Sequence, residues 1–67
     1  MNEIAEFVNI RYSEFIRSCE NSWLVYIDEK PYFFPYSLCN LDEDSMVIRC
    51  PMWFAIQTEV EQYEDED

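Results

Sequence analysis

The chain has no glycine and no histidine among its 67 residues, and only four of them are Lys or Arg. Each absence closes off a class of chemistry. Without glycine there is no phosphate-cradling loop, no strained nucleophile elbow and no sharp turn of an EF-hand calcium loop. Without histidine a catalytic triad lacks its usual base, and Cys19, Cys39 and Cys50 lack the partner that would complete a zinc site; they form no CxxC pair. These thiols are expected to be buried and reduced. Four scattered bases cannot build a basic face, so direct binding to a phosphate backbone is disfavoured by sign. Apolar runs fall far short of the roughly 20 residues that span a bilayer, and no positively charged leader precedes one. The chain is therefore expected in the cytoplasm of its host cell, with no membrane partner and no cofactor.

What is abundant is acid and aromatic surface. Fifteen Asp and Glu give a formal net charge of -11, and carboxylates held this close repel one another and oppose compaction. Such a surplus points to a positively charged partner. Disorder, the usual companion of high charge, does not fit a chain that is 49% hydrophobic and 18% aromatic. A single domain of this size buries about 60% of its unfolded surface around a thin core. Five Phe, five Tyr and two Trp exceed what that core can hide, so several rings are expected at the surface, where Tyr and Trp anchor interfaces.

The middle of the chain reads as a hairpin. Ser22 to Ile27 is β-branched and aromatic, Asp28-Glu29-Lys30-Pro31 is a polar turn, and Tyr32 to Leu38 is a second strand carrying Pro35, which belongs on an edge or at a bend. With no glycine, a two-residue turn needing positive φ is disfavoured and a longer type I connection is expected. Residues 40–45 form a polar, acidic loop, and Met46 to Cys50 a further strand. Past Pro51 the spacing of Trp53, Ile56 and Val60 predicts a helix reaching about Gln62. Tyr63 to Asp67 read as an acidic C-terminal tail behind a single compact domain over residues 1–62. The N-terminal residues fit two patterns. Ile4, Phe7, Val8, Tyr12, Phe15 and Ile16 make a helical stripe, whereas Ile4, Val8, Ile10 and Tyr12 alternate as a strand.

From Glu14 to Glu61 the layout resembles a class of small phage-encoded proteins built as a strand, a hairpin with a dG-x-x-x-W-x-P-K-S stretch, and a strand running into a P-x-W-L-A helix. The corresponding residues here are Asp28 to Ser37 and Pro51-Met52-Trp53-Phe54-Ala55. Where that pattern has a glycine turn and a lysine after proline, this chain has Lys30-Pro31 and Tyr36. The resemblance implies a compact, mostly β fold and favours strand over helix at the N-terminus, with Glu20-Asn21 turning a further hairpin. It brings no catalytic residue. The expected class is thus mainly β (α+β): a small antiparallel sheet or barrel-like fold of three to four strands with a C-terminal helix.

Paired carboxylates can do acid and base chemistry, but only in a cleft that separates their pKa values, for which this chain has little room. No enzyme is expected. Asp42-Glu43-Asp44 lacks the spread of an EF-hand loop and reads as a solvated acidic loop. Spread over a rigid surface, however, carboxylates can offer the field of a phosphate backbone to a DNA-binding protein. Phosphates of one strand are about 7 Å apart, and residues i and i+2 of a β-strand about 6.6 Å. Asp42 with Asp44, or Glu64 with Glu66, match that step, whereas Glu59 and Glu61 on a helix splay. The expectation is a DNA-mimic inhibitor of the anti-CRISPR type from a phage or mobile element. Asp28, Glu29, Asp42, Glu43, Asp44, Glu59, Glu61, Glu64, Asp65, Glu66 and Asp67 would meet a basic nucleic-acid-binding host protein or complex. The alternatives are a module that docks through exposed aromatics, and a homodimer that covers its surplus apolar surface.

Overall fold

The computed structural model describes residues 6–65, which fold as a mainly β protein with one short helix near the C-terminus. Ile4, Glu66 and Asp67 lie outside the described residues. Strands β1 (Phe7–Arg11), β2 (Glu14–Ser18), β3 (Ser22–Ile27), β4 (Lys30–Pro35), β5 (Asn40–Asp42) and β6 (Val47–Pro51) precede helix α1 (Met52–Gln57) and a 3-10 turn at Glu61–Tyr63. They form two antiparallel sheets of three strands, ordered β1-β6-β5 and β2-β3-β4. Three to four strands were too few. The N-terminal segment supplies two of the six, and Asn40–Asp42, read as loop, supplies another because its backbone pairs with Val47 to Arg49.

Period-2 alternation sets each strand's faces. In β1, Val8 and Ile10 point inward while Phe7 and Arg11 face out, and the pattern runs on to buried Tyr12. The chain then crosses between sheets at Ser13, whose N–H and Oγ both donate to the Tyr26 carbonyl, at 2.8 and 2.9 Å. Val25, Ile27 and Phe34 from one sheet meet Ile10, Ile48 and Cys50 from the other, with Ala55 and Val60 closing the end. Phe34, wholly buried, is the largest of these side chains, and its truncation to Ala costs about 3–5 kcal/mol in transfer and cavity terms. Cys39 and Cys50 are buried free thiols, as expected, whereas Cys19 is only half-buried. The hydrogen bond with Cys50, then burial, pushes the Cys39 thiol far above its ordinary range. Both prolines of β4 sit on an edge strand, where no ladder donor is missed.

The β3–β4 turn departs from expectation. Ile27 pairs directly with Lys30, which leaves a two-residue turn with Asp28 at φ 54 and Glu29 at φ 69. That is the left-handed geometry a twisted hairpin prefers, adopted without glycine because the strand register outweighs about 1–2 kcal/mol per left-handed residue. Helix α1 is also shorter than its periodicity suggests. It stops at Gln57, and Glu59 turns left-handed at φ 65. The Glu59 N–H then donates to the Ile56 carbonyl and the Val60 N–H to Ala55, at 3.0 and 2.9 Å, a Schellman ending with Val60 packed under the helix. The buried positions are therefore Ala55 and Val60, while Trp53 and Ile56 are 53% and 54% exposed.

Nor does the C-terminal segment hang free through Asp65. Glu64 bridges to Ile10, and the Asp65 N–H donates to the Asn9 carbonyl at 2.7 Å, extending the β1 edge. The left-handed residues yield a direct test. Glu29→Gly and Glu59→Gly are each expected to stabilise the chain by about 1 kcal/mol, raising Tm by about 4–8 °C in a thermal melt.

Candidate acidic interface

Three neighbouring open depressions carry most of the acids predicted to bind. The first, of about 410 Å³, lies where the β3–β4 turn meets the C-terminal segment, and its walls include Asp28, Glu64, Asp65, Arg11, Tyr12 and Tyr63. The second, of about 270 Å³, lies on the outer side of the β1-β6-β5 sheet between Asp65 and Asp42, with Asn9, Asn40 and Arg49 between them. The third, of about 370 Å³, joins Asp42, Glu43 and Asp44 to Leu41 and Trp23. Asp65 is shared by the first and second, Asp42 by the second and third. The three form one continuous rim, lined by six carboxylates against the two guanidinium groups of Arg11 and Arg49.

Local structure fixes these groups. The Tyr63 hydroxyl donates to Asp28 Oδ2 at 2.9 Å, tying the hairpin turn to the 3-10 turn. Arg11 Nη2 is 3.0 Å from Asp65 Oδ2. Arg49 stacks over the Phe7 ring, 5.1 Å from its centroid. Asp42 Oδ1 accepts from the N–H groups of Asp44 and Ser45, at 3.1 and 3.3 Å, so the carboxylate that ends β5 also folds its own turn. Trp23 stands edge-on to Tyr36 with ring centroids 4.7 Å apart.

Two phenols report the local field. Burial, then the charges of Glu43 and Asp42, push the Tyr12 phenol above its ordinary value of 10.0. Tyr12 thus feels the acidic turn while lining the depression that holds Asp28 and Asp65. The hydrogen bond to Asp28, with lesser contributions from burial and charge, pushes Tyr63 up as well.

Of the acids singled out by sequence, Asp28, Asp42, Glu43, Asp44, Glu64 and Asp65 come together. Glu29 is exposed beside Asp28 but outside the rim; Glu59 and Glu61 are exposed elsewhere; Glu66 and Asp67 are outside the described residues. The strand spacing assigned to Asp42 and Asp44 fails, because residues 43–46 turn immediately after Asp42. Sequence reasoning missed Arg11, Tyr12 and Trp23 as rim residues. Arg11 is the outward member of an alternating strand, a signal visible once β1 is placed.

Comparison with known protein families, with curated proteins and with solved structures finds no match. No helix among the described residues is long and apolar enough to cross a membrane.

The Tyr63–Asp28 bond makes a pH prediction. A folded chain that holds a phenolic proton more tightly than the unfolded one keeps this stabilisation below pH 10.0 and loses it as pH rises above that value. Tyr63→Phe should unfold at lower denaturant concentration near neutral pH and show a shallower alkaline decline, measured by denaturant midpoints between about pH 7 and 11.

Proposed function

We propose that this chain is a non-enzymatic inhibitor that binds a basic nucleic-acid-binding protein by presenting carboxylates where that protein expects phosphates. The observation that carries this reading is the continuity of the rim, in which Asp65 and Asp42 link acids from three separate stretches of sequence. Phosphate mimicry needs negative charge along a surface, held by a scaffold that does not rearrange on contact. Here the turn of Asp42 and the Tyr63–Asp28 and Arg11–Asp65 pairs provide the holding. Trp23, at one end of the rim, supplies an apolar anchor beside the acids.

Charge steering makes association fast and sensitive to salt. A host defence complex whose groove binds nucleic acid is the fitting target, so the proposed role is that of an anti-defence protein of a phage or mobile element. Arg11 pairs with Asp65 in the depression that also holds Asp28 and Glu64, whereas among the described residues the depression of Asp42 to Asp44 is lined by no base.

The test uses immobilised wild-type chain and an Asp42→Asn, Glu43→Gln, Asp44→Asn variant, which removes three charges while the amide at position 42 can still accept the turn's hydrogen bonds. Exposed to bacterial lysate, the wild type should retain nucleic-acid-binding proteins that are released by raised salt and displaced by duplex DNA. The variant should retain at least about tenfold less of the same proteins. Partners that resist salt and ignore duplex DNA would contradict the proposal.

A further inference from the structure

The outer face of the β2-β3-β4 sheet is apolar and faces solvent. Val25, Ile27 and Phe34 mark the inward side, so Leu24, Tyr26, Pro31 and Phe33 point outward, and Phe33 is 57% exposed. Register arranges this face in two rows. Arg17, Leu24 and Phe33 cross the strands in one row, and Glu14, Tyr26 and Pro31 cross them in the next. Ile16, at the irregularity in β2, is exposed beside them. Glu14 and Arg17 have no ion-pair partner among the described residues. On a chain of net charge -11 this face is locally neutral, with one acid against one base.

We infer that this face joins two copies of the chain. A two-fold axis lying between the copies, perpendicular to the strands and between the two rows, sets each row over the other row of the second copy. Glu14 then meets Arg17 of the other copy, twice; Leu24 packs on Tyr26, and Phe33 on Pro31. The pattern is self-complementary in charge and in apolar character, as an isologous interface requires. Sheets stacked in this way lie about 10 Å apart. The rim acids lie outside the two rows, so the copies meet where their charges repel least.

Size sets the strength. Three strands about 4.8 Å apart and about 20 Å long offer less than the roughly 800 Å² per partner of a standard interface. The dimer is therefore weak, with Kd on the order of 100 µM. Screening of the whole-chain repulsion outweighs loss of the two exposed ion pairs, so salt strengthens it. This is opposite to the salt response of the acidic rim, and the two proposals stand or fall separately.

Sedimentation equilibrium of the full chain from about 10 µM to 1 mM, at about 0.05 and 0.5 M NaCl, tests the inference. The wild type should dimerise, more tightly at the higher salt. Phe33→Asp should remain monomeric with an unchanged circular dichroism spectrum. Glu14→Arg should weaken the dimer about tenfold at the lower salt, and Glu14→Arg combined with Arg17→Glu should recover it to within about threefold. A wild type that is monomeric throughout, a Phe33→Asp variant that dimerises as the wild type does, or a double variant that does not recover overturns the proposal.

Discussion

Val60 is wholly buried, and that packing contact governs where the chain goes after helix α1. To reach the core the chain must leave helix α1 after Gln57, which forces Glu59 into the left-handed region and turns the backbone toward β1. Once there, Glu64 and Asp65 pair with the free edge of β1 and Tyr63 reaches Asp28. The rim of acids is a consequence of this route. Had the helix continued to Gln62, Asp65 would not stand between Asp28 and Asp42, and the acids would remain separate clusters.

The same economy appears in the turns. Among the described residues four adopt positive φ, and because the chain has no glycine they are Asp28, Glu29, Met46 and Glu59. Three of the four are acids. A turn tip is the part of a small domain where a carboxylate is best hydrated and farthest from its neighbours, so charge placed there adds least to self-repulsion. The conformational cost of about 1–2 kcal/mol per left-handed residue is set against that benefit. The chain carries negative charge at positions where a stability-optimised sequence would carry glycine.

The mainly β class was legible because its signals are side-chain patterns. Alternation in Val8, Ile10 and Tyr12 and the apolar runs around Asp28 and Glu29 both report which side of a strand meets the core. What the sequence hid was decided by backbone pairing. Asn40-Leu41-Asp42 has no β-forming bias, yet its main chain completes a sheet. Glu64 and Asp65 have polar side chains that say nothing of the amide that Asp65 donates to Asn9. The misplaced helical stripe has a related cause. Trp53, Ile56 and Val60 share a spacing, but Val60 belongs to the segment after the helix, so the face it seemed to define is not the buried one. Of the rim, the acids were readable individually, while their continuity depends on contacts between residues as distant in sequence as Asp28 and Tyr63.

A domain this small has too little interior for its apolar residues and too much charge for its surface, and it separates the two excesses in part, with Phe7 and Met46 still exposed on the acidic side. The β1-β6-β5 side and the adjoining turns gather carboxylates; the β2-β3-β4 side gathers Leu24, Tyr26 and Phe33 with one balanced pair of charges. Acids scattered through the apolar face would be desolvated by any partner that covered it. Segregation leaves each face able to meet a different kind of surface, and the thin shared core around Phe34 holds the two faces apart.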